Sequence, residues 1–384
     1  MSNNQRLLPA VVVGLVALVM LLFGLYVWQV MRSPVTASNA LVTTADQQQV
    51  YRWKMVTTWP KNFPGLGTAP ENFARMVNES SNGRLQIKVH GAGELVPALG
   101  VFDAVSTGSV ESGHGAAYYW KGKIPASPFF TAIPFGMNAQ ETNGWINAGG
   151  GLELWREAYA PFNVVPFAGG NTGVQMAGWY NKRINTIADI KGLKMRIPGM
   201  GGEVWSRAGG VAVNIPGGEL YTSLQTGVID ATEWVGPYND LAMGFHQVAK
   251  YYYYPGWHEP GAMLEIIVNQ DAYNALPEDL KAVVAVAAQA TNQMMLDEYT
   301  NANNAALKEL VENYGVELLE LPAEVLNVLK QKADQYYAET AAKDPLFAKV
   351  LASYTEFQRN AGNYHRISEL AYYHTRETDS QKTD

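Results

Sequence analysis

Glu233 and Trp234 sit at the end of a short apolar run, Val228 to Ala231, which Gly236 and Pro237 bring to a stop. The run predicts a buried strand, and in open α/β sheets ligands bind beyond the carboxyl ends of strands. A second short strand is expected over Leu193–Pro198, ending near Arg196. One planar cation and one anion at strand ends suit a small carboxylate and a metal ion. The two residue types alone leave ordinary edge structure open as the other reading. Catalytic signatures are missing from the sequence: no Gly-x-Ser-x-Gly elbow, His-Glu-x-x-His motif, Walker loop or EF-hand loop occurs. The six histidines are scattered, and none of their spacings suits a metal pair. His258 beside Glu259 is the one His–acid neighbour, and a surface or turn role is expected for the histidine rather than base catalysis.

Composition narrows the classes further. The chain has 384 residues, 47% of them apolar and 16% charged, which describes a globular protein with a large core. A net charge of −7 argues against a nucleic-acid partner. With no cysteine there is no disulfide, thiol chemistry or thiolate metal site. Ten Trp and 21 Tyr are enough to line a ligand cleft as well as a core. Between Arg6 and Arg32 no residue is charged, and as a helix this stretch reaches roughly 38 Å, more than the ~30 Å of a bilayer core. Residues 1–32 are therefore expected to be a signal anchor, or a signal peptide cut near Ser38-Asn-Ala40. The flanking positive charge places residues 33–384 outside the inner membrane, with 33–49 as a polar linker.

The elements that must position the site follow. Tyr51–Val56 and Leu85–Val89 alternate as strands, with a helix between them opened by Pro70 and closed by Gly83. A short helix and a Gly-rich strand over 111–119 complete a βαβαβ rhythm. Gly122–Gly136 is expected to be the crossover to a second α/β unit, which holds strands at 164–168, 174–180, 193–198 and 211–215. The Glu233 strand is expected to lead back to the first unit. Pro277 to Tyr314 reads as one helix of roughly 57 Å, long enough to lie across both units. Aromatic residues in the helices after Pro322 and Pro345 imply packing on something, with a second copy of the chain as one candidate.

Several motifs in fixed order carry a resemblance: Gly93-Glu-Leu-Val-Pro97, Gly100–Val105, Tyr118-Tyr-Trp-Lys-Gly-Lys123, Ile133-Pro-Phe-Gly136, Leu193–Pro198 and Thr232–Pro237. Over about residues 50–345 the chain resembles the DctP-type solute receptors of tripartite ATP-independent periplasmic (TRAP) transporters, in the branch that binds 2-oxoacids or lactate as a metal complex. The resemblance implies a two-lobed α/β periplasmic-binding-protein fold with a long helix spanning both lobes. Lobe I would take about 50–136 and 228–265 and lobe II about 137–227 and 266–320, with 346–384 a C-terminal helix and polar tail. Arg196 would pair bidentately with the substrate carboxylate. Gln175, Glu233 and the carbonyl of Trp234 would hold a cation, with Glu259 as a further ligand, while Tyr118, Tyr119 and Trp120 would cover the substrate from the opposite lobe.

Every implied metal donor is an oxygen, which suits Na⁺ or Ca²⁺. Glu233, Glu259 and a monocarboxylate together carry −3 against +1 on Arg196, so Ca²⁺ neutralises the closed site and Na⁺ leaves one charge over. Ca²⁺ is preferred on that ground, with Na⁺ the alternative. The implied function is an extracytoplasmic receptor for a pyruvate- or lactate-class monocarboxylate that delivers it to the small and large membrane subunits by hinge closure, without catalysis. Two rivals stand beside it: a metal-dependent enzyme acting on 2-oxoacids, and a metal-independent receptor for sugar acids.

Overall fold

A computed structural model describes residues 17–26, 28–29 and 49–377. The chain divides into two compact units, 1–49 and 50–384. In the first unit residues 17–26 and 28–29 are helical; no helix among the described residues is long and apolar enough to cross a membrane. The rest of the expected anchor, and the linker up to residue 48, lie outside the described residues.

The second unit opens with four strands: β1 (Tyr51–Thr57), β2 (Leu85–His90), β3 (Ser112–Gly115) and β4 (Val164–Asn171). Five shorter ones follow: β5 (Gly178–Tyr180), β6 (Lys194–Arg196), β7 (Val211–Val213), β8 (Ala231–Thr232) and β9 (Tyr251–Tyr254). β10 (Met263–Asn269) and β11 (Glu317–Glu320) come last. They build two mixed sheets, ordered β2-β1-β3-β10-β4 and β11-β9-β5-β8-β6-β7. β10 runs antiparallel to β3 and β4, and β5 runs antiparallel to β8 and β9. Each sheet thus holds one reversed strand, so two of the crossings between sheets run over short connections, while the third, from β10 to β11, runs through a helix.

The strands divide differently from the expectation. Residues 117–136 are 3-10 turns and loop beside the first sheet, and β4, expected in the second unit, pairs with β10 over its full length. All eight β4 residues are buried, so no alternation along it could reveal which sheet it joins. β8 and β9 stay in the second sheet and do not return to the first. The chain therefore crosses between sheets by two short passes, at 172–177 and 255–262, and a third time through the long helix between β10 and β11. The strand expected from Val228 shrinks to Ala231–Thr232, and Val228 is exposed, because Gly227 turns the chain at φ 72° just ahead of it. The long helix spans Glu278–Glu312 with Pro277 at its N-cap, close to the expected bounds. Helices Ala323–Ala341 and Pro345–Ile367 follow, and a further helix, Glu369–Glu377, occupies what was read as polar tail.

Between the sheet and its helices the core holds a fully buried carboxyl, Glu265 on β10. It accepts hydrogen bonds from Trp120 Nε1 and from Tyr159 Oη at 2.8 Å. Trp120, expected in the cleft with its neighbours, instead stacks on Phe102 in this core. Burial pushes the Glu265 carboxyl up to about 7, the donated bonds recovering only part of the cost. Asp240 is also raised to about 7 by burial, against bonds from Tyr252, Trp179 and the Val235 amide. Both groups hold their protons more tightly when folded than at the ordinary values of 4.5 and 3.8. Their contribution to stability is thus present at low pH and lost as pH rises through about 7. The melting temperature should rise by several degrees from pH 8 to pH 5, and Glu265→Gln should flatten that slope; an unchanged slope in the folded variant contradicts the assignment.

Candidate functional site

Each pass between the sheets carries a polar side chain, and the two passes are hydrogen-bonded side by side. The Thr172 amide donates to the Ala262 carbonyl at 3.1 Å, Gln175 N to Glu259 O at 3.2 Å and Ala177 N to Tyr253 O at 2.8 Å. At Gly256 a Cβ would lie 2.1 Å from the Gln175 carbonyl oxygen, so only glycine lets the strands approach this closely. The end of β8 joins them, the Met176 amide donating to the Val235 carbonyl at 3.0 Å. Gln175, Glu233 and Glu259 thereby come from three segments that meet at the hinge.

The side chains form one buried charge cluster. Arg196 Nη1 donates to Glu233 Oε1 at 2.5 Å, and Glu233 Oε2 lies 3.3 Å from His258 Nε2. Gln175 Nε2 donates to Glu259 Oε2 at 2.8 Å. Oxygens of Glu233 and Glu259 and a ring nitrogen of His258 all lie within 4.8 Å of one another. None of Arg196, Gln175, Glu233, His258 and Glu259 is more than 4% exposed. Burial, with Glu233 nearby adding to it, raises the Glu259 carboxyl well above the ordinary value; Arg196 lowers it in part. Burial alone would depress Arg196, but Glu233 and the other acidic neighbours outweigh that and hold it above the ordinary arginine value. The guanidinium therefore stays charged between two carboxyl groups.

Tyr119 Oη accepts from Arg196 Nη2 at 3.2 Å, and Tyr118 is buried beside it, the two ring centroids 4.7 Å apart. Burial and the two nearby glutamates keep the Tyr118 phenol protonated far above its usual range. The indole of Trp234 lies under the Arg196 guanidinium at 5.3 Å, a cation–π contact. It rests on Gly217, where a Cβ would come within 2.1 Å of the ring. A cleft of about 320 Å³ lined by Tyr118, Tyr119, Ile197 and Asn214 opens beside the cluster. A larger depression of about 600 Å³, between Lys61 and Val89, holds no buried ionisable side chain.

Of the residues expected at the site from the sequence, Arg196, Gln175, Glu233, Trp234, Glu259, Tyr118 and Tyr119 fall at this one place, whereas Trp120 lies in the core. His258 corrects the reading of it as a surface or turn residue, since it is 1% exposed and faces Glu233. Its position next to Glu259 was the available signal. Trp59, absent from the sequence reading, reaches the cluster as well, its ring centroid 6.1 Å from Trp234 and 6.2 Å from Tyr119.

Comparison with known proteins bears on this arrangement. The monocarboxylate 2-oxoacid-binding periplasmic protein of Nostoc sp. is 44% identical over 345 residues, covering 88% of this chain and 94% of its own. A solved structure of a TRAP periplasmic solute-binding protein from Pseudoalteromonas atlantica T6c, with bound sodium and pyruvate, is 46% identical with a TM-score of 0.83; the match spans 85% of this chain and 99% of that one. Another, from Colwellia psychrerythraea with bound calcium and pyruvate, is also 46% identical with a TM-score of 0.83, spanning 85% and 100%. The family model for DctP, bacterial extracellular solute-binding protein family 7, matches residues 55–344. A receptor fold of two sheets hinged at a buried charge cluster, matched over most of its length by that model, makes this chain a member of the DctP family of solute-binding proteins, which bind and deliver substrate rather than transform it.

Proposed function

We propose that this chain is the extracytoplasmic receptor of a TRAP transporter and binds a pyruvate-class 2-oxo or 2-hydroxy monocarboxylate together with Ca²⁺, or Na⁺ as the alternative. The observation that carries this reading is the meeting of Arg196, Glu233, Glu259 and Gln175 in one buried cluster at the hinge. Arg196 takes the substrate carboxylate, with Tyr119 steadying the guanidinium. Gln175, Glu233, Glu259 and the Trp234 carbonyl would hold the ion, which would supply positive charge beside the bound acid. Their fit to such an ion is supported by Gln175: its Nε2 is engaged by Glu259 and Thr172, while its Oε1 is buried with no hydrogen-bond partner. An oxygen left in that position suits a hard cation. Tyr118, Tyr119 and Trp234 exclude water around the pair. Closure follows because the donors sit on both passes of the hinge, and the closed form is what the small and large membrane subunits recognise.

The same reading places the chain in the periplasm, tethered through residues 1–32 or released after cleavage. It also assigns a second copy of the chain to the C-terminal helices, where Tyr364, Ile367, Leu370, Tyr372 and Tyr373 expose their side chains. If so, light scattering should give the mass of two chains, and truncation after residue 361 should give one.

Pyruvate with Ca²⁺, well above its dissociation constant, should raise the melting temperature by several degrees, an effect of a few kcal/mol. A chelator in sodium-free buffer should abolish the rise, and Arg196→Ala should lose it in either ion. Binding that ignores the chelator would support the sugar-acid rival. Glu259→Gln tests the charge count, because it removes one negative charge and leaves an oxygen acceptor for Gln175. With this variant, Na⁺ rather than Ca²⁺ should neutralise the closed site, so pyruvate affinity should fall in Ca²⁺ relative to Na⁺ by tenfold or more on calorimetry, about 1.4 kcal/mol. An unaltered ion preference would remove Glu259 from the metal shell.

A further inference from the structure

β1 ends at Thr57, and two residues on Trp59 projects from the first sheet toward the second. Its backbone is tied down there: the Thr57 hydroxyl donates to the Trp59 carbonyl at 2.8 Å, and the Ala92 amide donates to the same oxygen at 2.9 Å. Its indole Nε1 donates to His114 Nδ1 at 2.9 Å, and His114 Nε2 lies 3.1 Å from the Gly169 carbonyl on β4. This fixes the tautomer, for an Nδ1 that accepts from Trp59 leaves the proton on Nε2 to be donated to Gly169. Full burial holds His114 down to about 4, so the ring remains the neutral acceptor that Trp59 needs. Thus held by β3 and β4, the Trp59 ring is 2% exposed and meets both Tyr119 and Trp234. Tyr119 is bonded to the guanidinium assigned to the substrate carboxylate, and Trp234 belongs to the segment assigned to the ion.

We infer that Trp59 is the wall of the first lobe that limits the length of the substrate's carbon chain, and that His114 is the positioning residue that holds it there. The inference rests on the function proposed above. A short acid gripped at Arg196 and at the ion lies between Tyr119 and Trp234, and the side chain that touches both rings is the one its carbon tail meets. Phe63, whose ring meets Trp234 at 6.2 Å, continues the same apolar wall. Discrimination by such a wall is about 10- to 200-fold per methylene, enough to separate pyruvate from its longer homologues.

The test is calorimetry of the full chain with Ca²⁺ and a series of pyruvate, 2-oxobutyrate and 2-oxohexanoate, on wild type, Trp59→Ala, Trp59→Phe, His114→Leu and His114→Asn. Wild type should prefer pyruvate. Trp59→Ala should weaken pyruvate and improve 2-oxohexanoate, changing their affinity ratio by about tenfold or more. Trp59→Phe, which keeps an apolar ring in place, should shift the ratio in the same direction but less. His114→Leu should move the ratio toward that of Trp59→Ala, and His114→Asn, which restores an acceptor for the indole, should recover it; a purely structural histidine would lower all three affinities together without rescue. If the folded Trp59 variants keep the wild-type ranking of chain lengths, the inference is overturned. If wild type binds none of the acids with either ion, the proposed function itself has failed, and that outcome is recognisable before any variant is read.

Discussion

Two carboxylates and one guanidinium share a space sealed from water, and this constraint governs the rest of the molecule. Moving a charge into such a place costs several kcal/mol unless it is paired and hydrogen-bonded. Arg196 answers Glu233 directly, while Glu259 is left with an amide, a phenol and a raised affinity for a proton. The carboxyl group of Glu259, which no cation among the described residues answers directly, is the one that a bound ion would let ionise. The pairing also dictates the local backbone. Trp234 can lie under Arg196 only because residue 217 has no side chain, and the Gln175 strand can lie against 256 for the same reason.

The cluster acts on the whole fold because of where the chain crosses. Gln175 stands on the outward pass from first sheet to second, and His258 and Glu259 stand on the return. On the proposed function, a ligand joined to both passes and to the end of β8 would stiffen the segments about which the two sheets would rotate, which would couple binding to closure. The long helix Glu278–Glu312 lies against both halves, its Tyr299 hydroxyl donating to Asn239 and its Asn303 side chain accepting from the Tyr238 amide.

Buried polar groups away from the cluster hold its surroundings in place. Asp240 accepts from Trp179, Tyr252 and the Val235 amide, which joins the segment following Trp234 to two strands of the second sheet. Glu265 fixes Trp120, and with it the turn that presents Tyr118 and Tyr119. His114 performs the corresponding task for Trp59. Each is a titratable group kept from titrating near neutrality or poised beside it by burial, and each holds an aromatic ring in place.

Residue types and short spacings in the sequence already marked Arg196, Glu233 and Trp234 as candidates, together with the length of the spanning helix between Pro277 and Gly315 and the presence of two α/β units, because strand ends, turns and caps are set by neighbours a few positions away. The resemblance in ordered motifs added Gln175, Glu259, Tyr118 and Tyr119, and a role for each. Membership of β4, β8 and β9 in one sheet or the other was settled only in three dimensions: a fully buried strand shows no alternation, and which of two sheets it joins depends on partners such as β10, about a hundred residues on. His258 and Trp59 were hidden for a related reason. A histidine in a Gly-Pro turn and a tryptophan after a strand look like surface and core respectively, until packing of the two sheets brings both against Glu233 and Trp234.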